Sequence, residues 1–381
     1  MADHPDNVRI AIKTGAEQTT LETHPWPRLG ADEGMLKIEA CGVGGAEPEV
    51  YRAGDKWVPV AMGHQIVGTV VEMGDLTRKV WPVELGERVV IQEYLPCKSC
   101  EWCLKGEYRF CPQADFFGGA NPQRYGLIDP TVGPKLVGGF AEYIQLPWNT
   151  VFHKIPQDLP AELATLAIPI GNGVQWVTLD VNAGPGKTVL IIGPGQQGLG
   201  AVLGAKDAGA STIILAGMSR DQARLDLAAE LGADHVINVE KESLLDGLRR
   251  ILGPDGGLDV VVDTTGDPGG GNMDQYLEVV NYGAWLWVNA MDRGVPVRKV
   301  KQKYLTVRSG RGRSWWAVDT ALRIITSRRF PLEKMCTHTF ALEDVDLAIK
   351  ATAGREIAGA IHCIVDPWKQ GPVTVRPPAT P

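Results

Sequence analysis

The chain of 381 residues reads as an α/β protein in which a β-rich N-terminal part precedes a doubly wound, parallel-sheet nucleotide domain. Three observations predict this. Residues 188–200, Thr-Val-Leu-Ile-Ile-Gly-Pro-Gly-Gln-Gln-Gly-Leu-Gly, pass from an apolar strand into a glycine-punctuated turn and on into a helix. Strand-like and helix-like stretches then alternate as a parallel sheet requires. Before residue 158, by contrast, short strand-like runs are separated by Gly, Pro and Asp.

In order, 10–12 and 34–40 read as strands, divided by the Pro-rich passage 25–28, which excludes regular structure. Further strands are expected at 65–73, 88–92 and 141–146. Helical patterning begins at 161–181. The alternation follows: strand 188–192, helix 201–209, strand 212–216, helix 221–231 with Gly232 as its stop, strand 235–239, and strands at 259–262 and 284–289. The tail adds helices at 316–327 and 342–353 and a strand at 360–365. Residues 269–271 read as a flexible loop and 377–381 as a frayed end. The divisions expected are 1–158, with a lobe at 93–115, then 159–306, and a C-terminal return, 307–381, to the first part.

The turn at 193–198 has the chemistry of a dinucleotide site. Gly193 permits the tight bend, Gly195 lets the backbone approach a pyrophosphate, and Gly198 lets helix and strand pack closely. Gln196 and Gln197 lie within the turn, and the phosphates would sit at the positive end of the helix that follows.

With 44% hydrophobic and 22% charged residues, the composition is that of an ordinary globular protein. A net charge of −7 without any long single-sign block argues against nucleic acid or an anionic membrane as partner, and favours a small molecule. The opening residues lack a signal pattern, and no apolar run approaches the roughly 18 residues that span a bilayer, so a cytoplasmic location is expected. Four of the seven cysteines fall in Cys97-x2-Cys100-x2-Cys103-x7-Cys111. That spacing can wrap one tetrahedral Zn²⁺, and four thiolates leave no position open for substrate, so the ion would be structural. Four unligated thiols, or an iron–sulfur cluster on the same residues, are the alternatives.

Together, Gly63-His64 with Ile66-Val67-Gly68, the four-cysteine lobe, Gly139-Phe140-Ala141-Glu142-Tyr143 and the glycine turn resemble the zinc-containing alcohol dehydrogenase branch of the medium-chain dehydrogenase/reductase superfamily. The resemblance covers nearly the whole chain. It implies a GroES-like catalytic domain, a Rossmann domain, an active site in the cleft between them, and a homodimer or homotetramer. It also implies where a catalytic zinc should be held, and there this chain departs from the family. Gly44 stands at the first ligand, Ala46 at the proton-relay hydroxyl and Glu49 at the relay histidine. Gln65 replaces the carboxylate of the His-Glu pair, and Ile168 the third ligand. Only His64 remains, with Cys41 three residues before the expected ligand, so no catalytic zinc is expected.

Alcohol oxidation in the family relies on zinc to stabilise the alkoxide. Without it, the expected reaction is hydride reduction of an activated C=C bond or conjugated carbonyl, with Glu47, Glu49, Tyr51 and His64 as candidate proton donors. The alternatives are an alcohol or polyol dehydrogenase with unusual zinc ligands, and a non-redox enzyme or binding protein on the same frame. Asn172, Thr265 and Asn289 are expected beside the cofactor, and Trp57 and Trp315 are candidate pocket walls. The end of the second nucleotide-domain strand carries Gly217 where NAD-preferring members carry an acid. With Ser219 and Arg220 available for a 2′-phosphate, NADP(H) is favoured and NAD(H) is the alternative.

Overall fold

The structure is a computed structural model describing residues 4–54, 58–115, 122–265, 271–289 and 294–376. Trp57, Gly266, Gly269, Gly270 and the expected frayed end 377–381 lie outside the described residues. The chain divides into two compact units, Met1–Ile168 with Glu333–Pro381, and Pro169–Leu332.

The first unit is built mainly on antiparallel strands, with Cys336–Phe340 and His362–Val365 pairing in parallel. Gly34–Gly42 is its organising strand, pairing with Gln65–Met73, Tyr143–Leu146 and His362–Val365 within an eight-stranded sheet. Its inward residues Leu36, Ile38 and Cys41 are fully buried, as are Ile66 and Val70 across the ladder. Each such apolar side chain contributes about 1.5–3 kcal/mol on leaving water. The register sets Gly42 opposite Gln65 and Cys41 opposite Ile66, which fixes where His64 enters. A three-stranded sheet of Gln18–Pro25, Asn7–Gly15 and Val60–Ala61 packs nearby.

The second unit is a six-stranded, all-parallel sheet in the order His235–Asn238, Thr212–Gly217, Thr188–Ile192, Leu258–Asp263, Val280–Val288, Thr306–Arg308. The central strand, Thr188–Ile192, starts the chain order and sits third. The strand order reverses there, and in open α/β sheets that is the place where ligands bind. Val189, Leu190 and Ile191 are fully buried because both sheet faces are covered, which explains their unbroken apolar run.

Several elements differ from the sequence expectation. The helix after the turn, Gln196–Asp207, begins inside the glycine motif instead of at 201. The stretch 161–181 is broken into Ala161–Thr165, Ala167–Val174 and a π-helical turn Gln175–Asp180. Strand Val280–Val288 starts before 284, with a register shift against its neighbour that the polar Asn281 and the following Tyr-Gly disguise. Strands Gln18–Pro25 and Cys336–Phe340 and helices Leu244–Leu252 and Val297–Lys303 were not expected, while Gly271, read as loop, opens the helix Gly271–Val279. The parallel-sheet unit runs Pro169–Leu332, where 159–306 was expected, and it includes the helix Trp315–Thr326. Among the described residues, no helix is long and apolar enough to cross a membrane.

Candidate functional site

The lobe assembles as its spacing requires. The donor atoms of Cys97, Cys100, Cys103 and Cys111 all lie within 4.8 Å of one another. The sulfurs of Cys97 and Cys103 are 3.9 Å apart, and those of Cys100 and Cys103 3.4 Å. Four thiolates at Zn–S distances of about 2.3 Å stand about 3.8 Å apart on a tetrahedron. The residues present therefore fit one Zn²⁺ with its coordination closed. A short helix, Glu101–Leu104, carries Cys103, and Lys98 Nζ donates to Thr150 O at 3.0 Å, tying the lobe to the rest of its unit.

At the position of the family's catalytic metal the surroundings are different. Gly63, at φ +89°, turns the chain into His64, and its carbonyl accepts from Gly139 N–H at 2.9 Å. Helix Glu47–Arg52 brings Glu47 to the imidazole: Glu47 Oε1 lies 2.5 Å from His64 Nδ1. Glu47 is 3% exposed, and neither carboxylate oxygen meets a well-aligned hydrogen-bond donor, which leaves the ring as the polar contact of this buried side chain. A Cβ on Gly44 would come within 2.8 Å of Gln65 Nε2, Glu47 Oε2 and His64 Cε1. The space of a ligand side chain at residue 44 is filled by those three groups. Cys41 stays in the core, its thiol donating to Gly42 O at 3.6 Å, and burial with the nearby Glu47 charge pushes its pKa well up, away from the thiolate a metal needs. Ile168 is fully buried. Gly44 and Ile168 bring no donor atom, and the groups that converge on residue 44 are one imidazole, one carboxylate and one amide. Among the described residues, the lobe is the only group of three or more His, Cys, Asp or Glu with converging donor atoms.

Of the four expected proton donors, the fold brings two together, His64 and Glu47. Glu49 is exposed on the same helix. Tyr51 is 1% exposed and its hydroxyl donates to Glu17 O at 2.6 Å, so it serves packing in its own neighbourhood. Burial and the adjacent Asp346 raise its pKa strongly.

In the second unit the turn has the expected shape. Gly193 lies at φ +96°, with Thr264 Oγ1 2.8 Å from where its Cβ would be, and a Cβ on Gly198 would collide with Gly193 O. Gly195 caps the helix without a side chain and faces open space, Gln196 is buried and Gln197 half-buried. The first backbone amides of a helix whose N-cap, Gly195, brings no side chain form a cradle for a pyrophosphate, so the residues present fit a dinucleotide. Thr264 Oγ1 donates to Ile192 O at 2.9 Å, and Thr265 is held by Asp263 Oδ1 at 2.6 Å, which sets this segment against the turn. Asn289 N–H donates to Asp263 O at 3.0 Å, anchoring the next strand end beside it. Asn172 is buried, and its Oδ1 accepts from Arg313 Nη1 at 3.0 Å. Trp315 opens its helix edge-on to Trp316, 5.1 Å away.

Two residues of interest were missed. Arg313, 1% exposed in the second unit, holds Asn172, and Glu240, in the turn after strand His235–Asn238, accepts from Ser219 N–H at 2.7 Å. Neither has a sequence signal, because both contacts join segments far apart in the chain.

Residues 30–157 match the alcohol dehydrogenase GroES-like domain, and residues 198–326 match the zinc-binding dehydrogenase domain. A Mycobacterium tuberculosis protein named "Probable alcohol dehydrogenase adh" is 31% identical over 94% of this chain and 98% of its own length. Sorbitol dehydrogenase of Bacillus subtilis is 31% identical over 69% of this chain and 70% of its own. Among solved structures, alcohol dehydrogenase TADH from Thermus sp. ATN1 superposes with a TM-score of 0.78 at 25% identity, covering 94% of this chain and 99% of that one.

Proposed function

We propose, from the premise that this chain belongs to the zinc-containing medium-chain alcohol dehydrogenase family and is an NAD(P)-dependent enzyme, that it interconverts a small hydroxylated substrate and its carbonyl with the proton carried by His64. The observation that carries this reading is the Glu47–His64 contact in the space where a ligand at residue 44 would lie. The bound nicotinamide supplies the hydride acceptor or donor. The proton is left to the protein. The Glu47 carboxylate beside Nδ1 favours the tautomer protonated on that nitrogen, leaves Nε2 on the opposite edge as the proton-accepting atom, and stabilises the imidazolium that forms. In the reverse direction the same Nε2–H donates to the carbonyl oxygen. This replaces alkoxide stabilisation by a metal with general-base removal of the hydroxyl proton, and the donor set around His64 favours that replacement.

The names of the relatives support alcohols and polyols as substrates. A second reading, hydride reduction of a conjugated C=C bond or carbonyl, is favoured by the same lack of metal donors, since such acceptors delocalise charge without a Lewis acid. One assay separates them. Purified protein is given NAD(P)⁺ with secondary alcohols and polyols, and NAD(P)H with ketones and enones. Turnover of alcohols that falls at least about a hundredfold in His64→Gln, with nucleotide binding kept, supports the first reading. Oxidation of NAD(P)H by enones alone replaces it with the second.

A further inference from the structure

The loop that follows strand Thr212–Gly217 bears on the choice of nicotinamide. In dinucleotide folds the ribose of the adenosine half reaches the end of the second strand, where an acid accepts from the 2′-hydroxyl. At that place Gly217 is not merely acid-free. A Cβ on it would stand 2.8 Å from Pro194 Cγ and 3.1 Å from Leu225 Cδ2, so no side chain fits without moving the turn itself. The two groups that the sequence offers to a 2′-phosphate are Ser219 and Arg220, and the fold has already engaged the first. Ser219 N–H donates to Glu240 Oε2 at 2.7 Å, and its hydroxyl donates to Asn238 Oδ1 at 3.2 Å. Glu240 is brought there by the neighbouring strand: its own N–H donates to Asn238 Oδ1 at 3.1 Å, closing the corner. The carboxylate is exposed, held in its charged form by Ser219 and by Arg220. A second acid, Asp221, accepts from Met218 N–H at 3.4 Å and pairs with Arg224.

We propose that Glu240 is the specificity-determining residue for the cofactor and selects NAD(H) over NADP(H). It supplies, from the turn after strand His235–Asn238, the acid that the end of strand Thr212–Gly217 has no room for. A ribose diol can donate to its oxygens, whereas a 2′-phosphate would have to displace a carboxylate from Ser219 and share Arg220 with it. This reverses the preference read from Gly217, Ser219 and Arg220 alone. It rests on the family's nicotinamide dependence and is independent of the proton route through His64.

The test is direct binding. NADH and NADPH are titrated separately into the cofactor-free full chain, and dissociation constants are read from nucleotide fluorescence. The unaltered protein is expected to bind NADH about tenfold more tightly than NADPH. Glu240→Gln keeps an acceptor for Ser219 N–H and removes the charge. It should tighten NADPH about tenfold and move NADH less than about threefold. Adding Arg220→Ala to Glu240→Gln should undo the gain for NADPH. Glu240→Ala serves if the glutamine variant does not fold. Tighter NADPH binding by the unaltered protein, or a NADH-to-NADPH ratio that removal of the charge leaves unmoved, overturns the proposal. Binding of neither nucleotide overturns it by removing the nicotinamide dependence beneath it.

Discussion

Glu47 and His64 illustrate how much one contact can decide. A carboxylate at 3% exposure is costly to bury, and it is retained here against a ring nitrogen 2.5 Å away. Glu47→Gln keeps the size and removes the charge, so under the proposed route kcat should fall about tenfold to a hundredfold while the NADH dissociation constant stays within about twofold. Stopped-flow or steady-state kinetics alongside a fluorescence titration would check it, and an unchanged kcat would remove Glu47 from the proton path. Both residues were recognisable as candidates from the chain alone, but their pairing was not. It depends on the turn at Gly63 and on the placement of helix Glu47–Arg52, neither of which is a local property of sequence. Tyr51 shows the converse: it shares that helix, yet its hydroxyl faces Glu17 O.

At the scale of elements, the glycine turn and the strand ends carry the argument. A Cβ on Gly198 would strike Gly193 O, so Gly198→Ala should pull strand Thr188–Ile192 and helix Gln196–Asp207 apart and weaken NADH binding more than about tenfold, read by titration. Strand His362–Val365 carries a different liability. His362 is fully buried with Thr165 Oγ1 2.8 Å from its Nε2, and burial lowers its pKa to about 3. Unfolding releases an imidazole that takes a proton below about pH 6.5. The folded pKa is the lower one, so this residue's share of stability is present above about pH 6.5 and is lost as pH falls toward 3, at up to ~1.4 kcal/mol per unit. Thermal melts between pH 7 and pH 5 should show that slope, and His362→Gln should flatten it. Elements with a strong local apolar signal, such as Gln65–Met73 and Thr188–Ile192, were legible to the residue. Gln18–Pro25 was not, because a polar, half-exposed hairpin strand has little apolar alternation to read.

For the whole molecule, the sharpest consequence is its metal content. The lobe was readable because four cysteines within one short loop define their own site, whereas the surroundings of His64 and Glu240 are set by strand order and register across each unit. If the four thiolates hold the ion that folds the lobe, and protons move through His64, purified protein should contain one tightly bound zinc per chain by elemental analysis. Chelation should then lower the melting temperature, with activity lost only as structure is lost. Cys111→Ser should do the same without chelator, since Cys111 is fully buried and its sulfur accepts from Cys97 N–H at 3.3 Å. NADH at 100 times its dissociation constant adds about 2.7 kcal/mol of stability irrespective of the lobe, so melts with and without nucleotide separate the two sources. A second zinc per chain, whose removal abolishes turnover at an unchanged melting temperature, would return the chemistry to a Lewis acid and leave Glu47 and His64 as its supports.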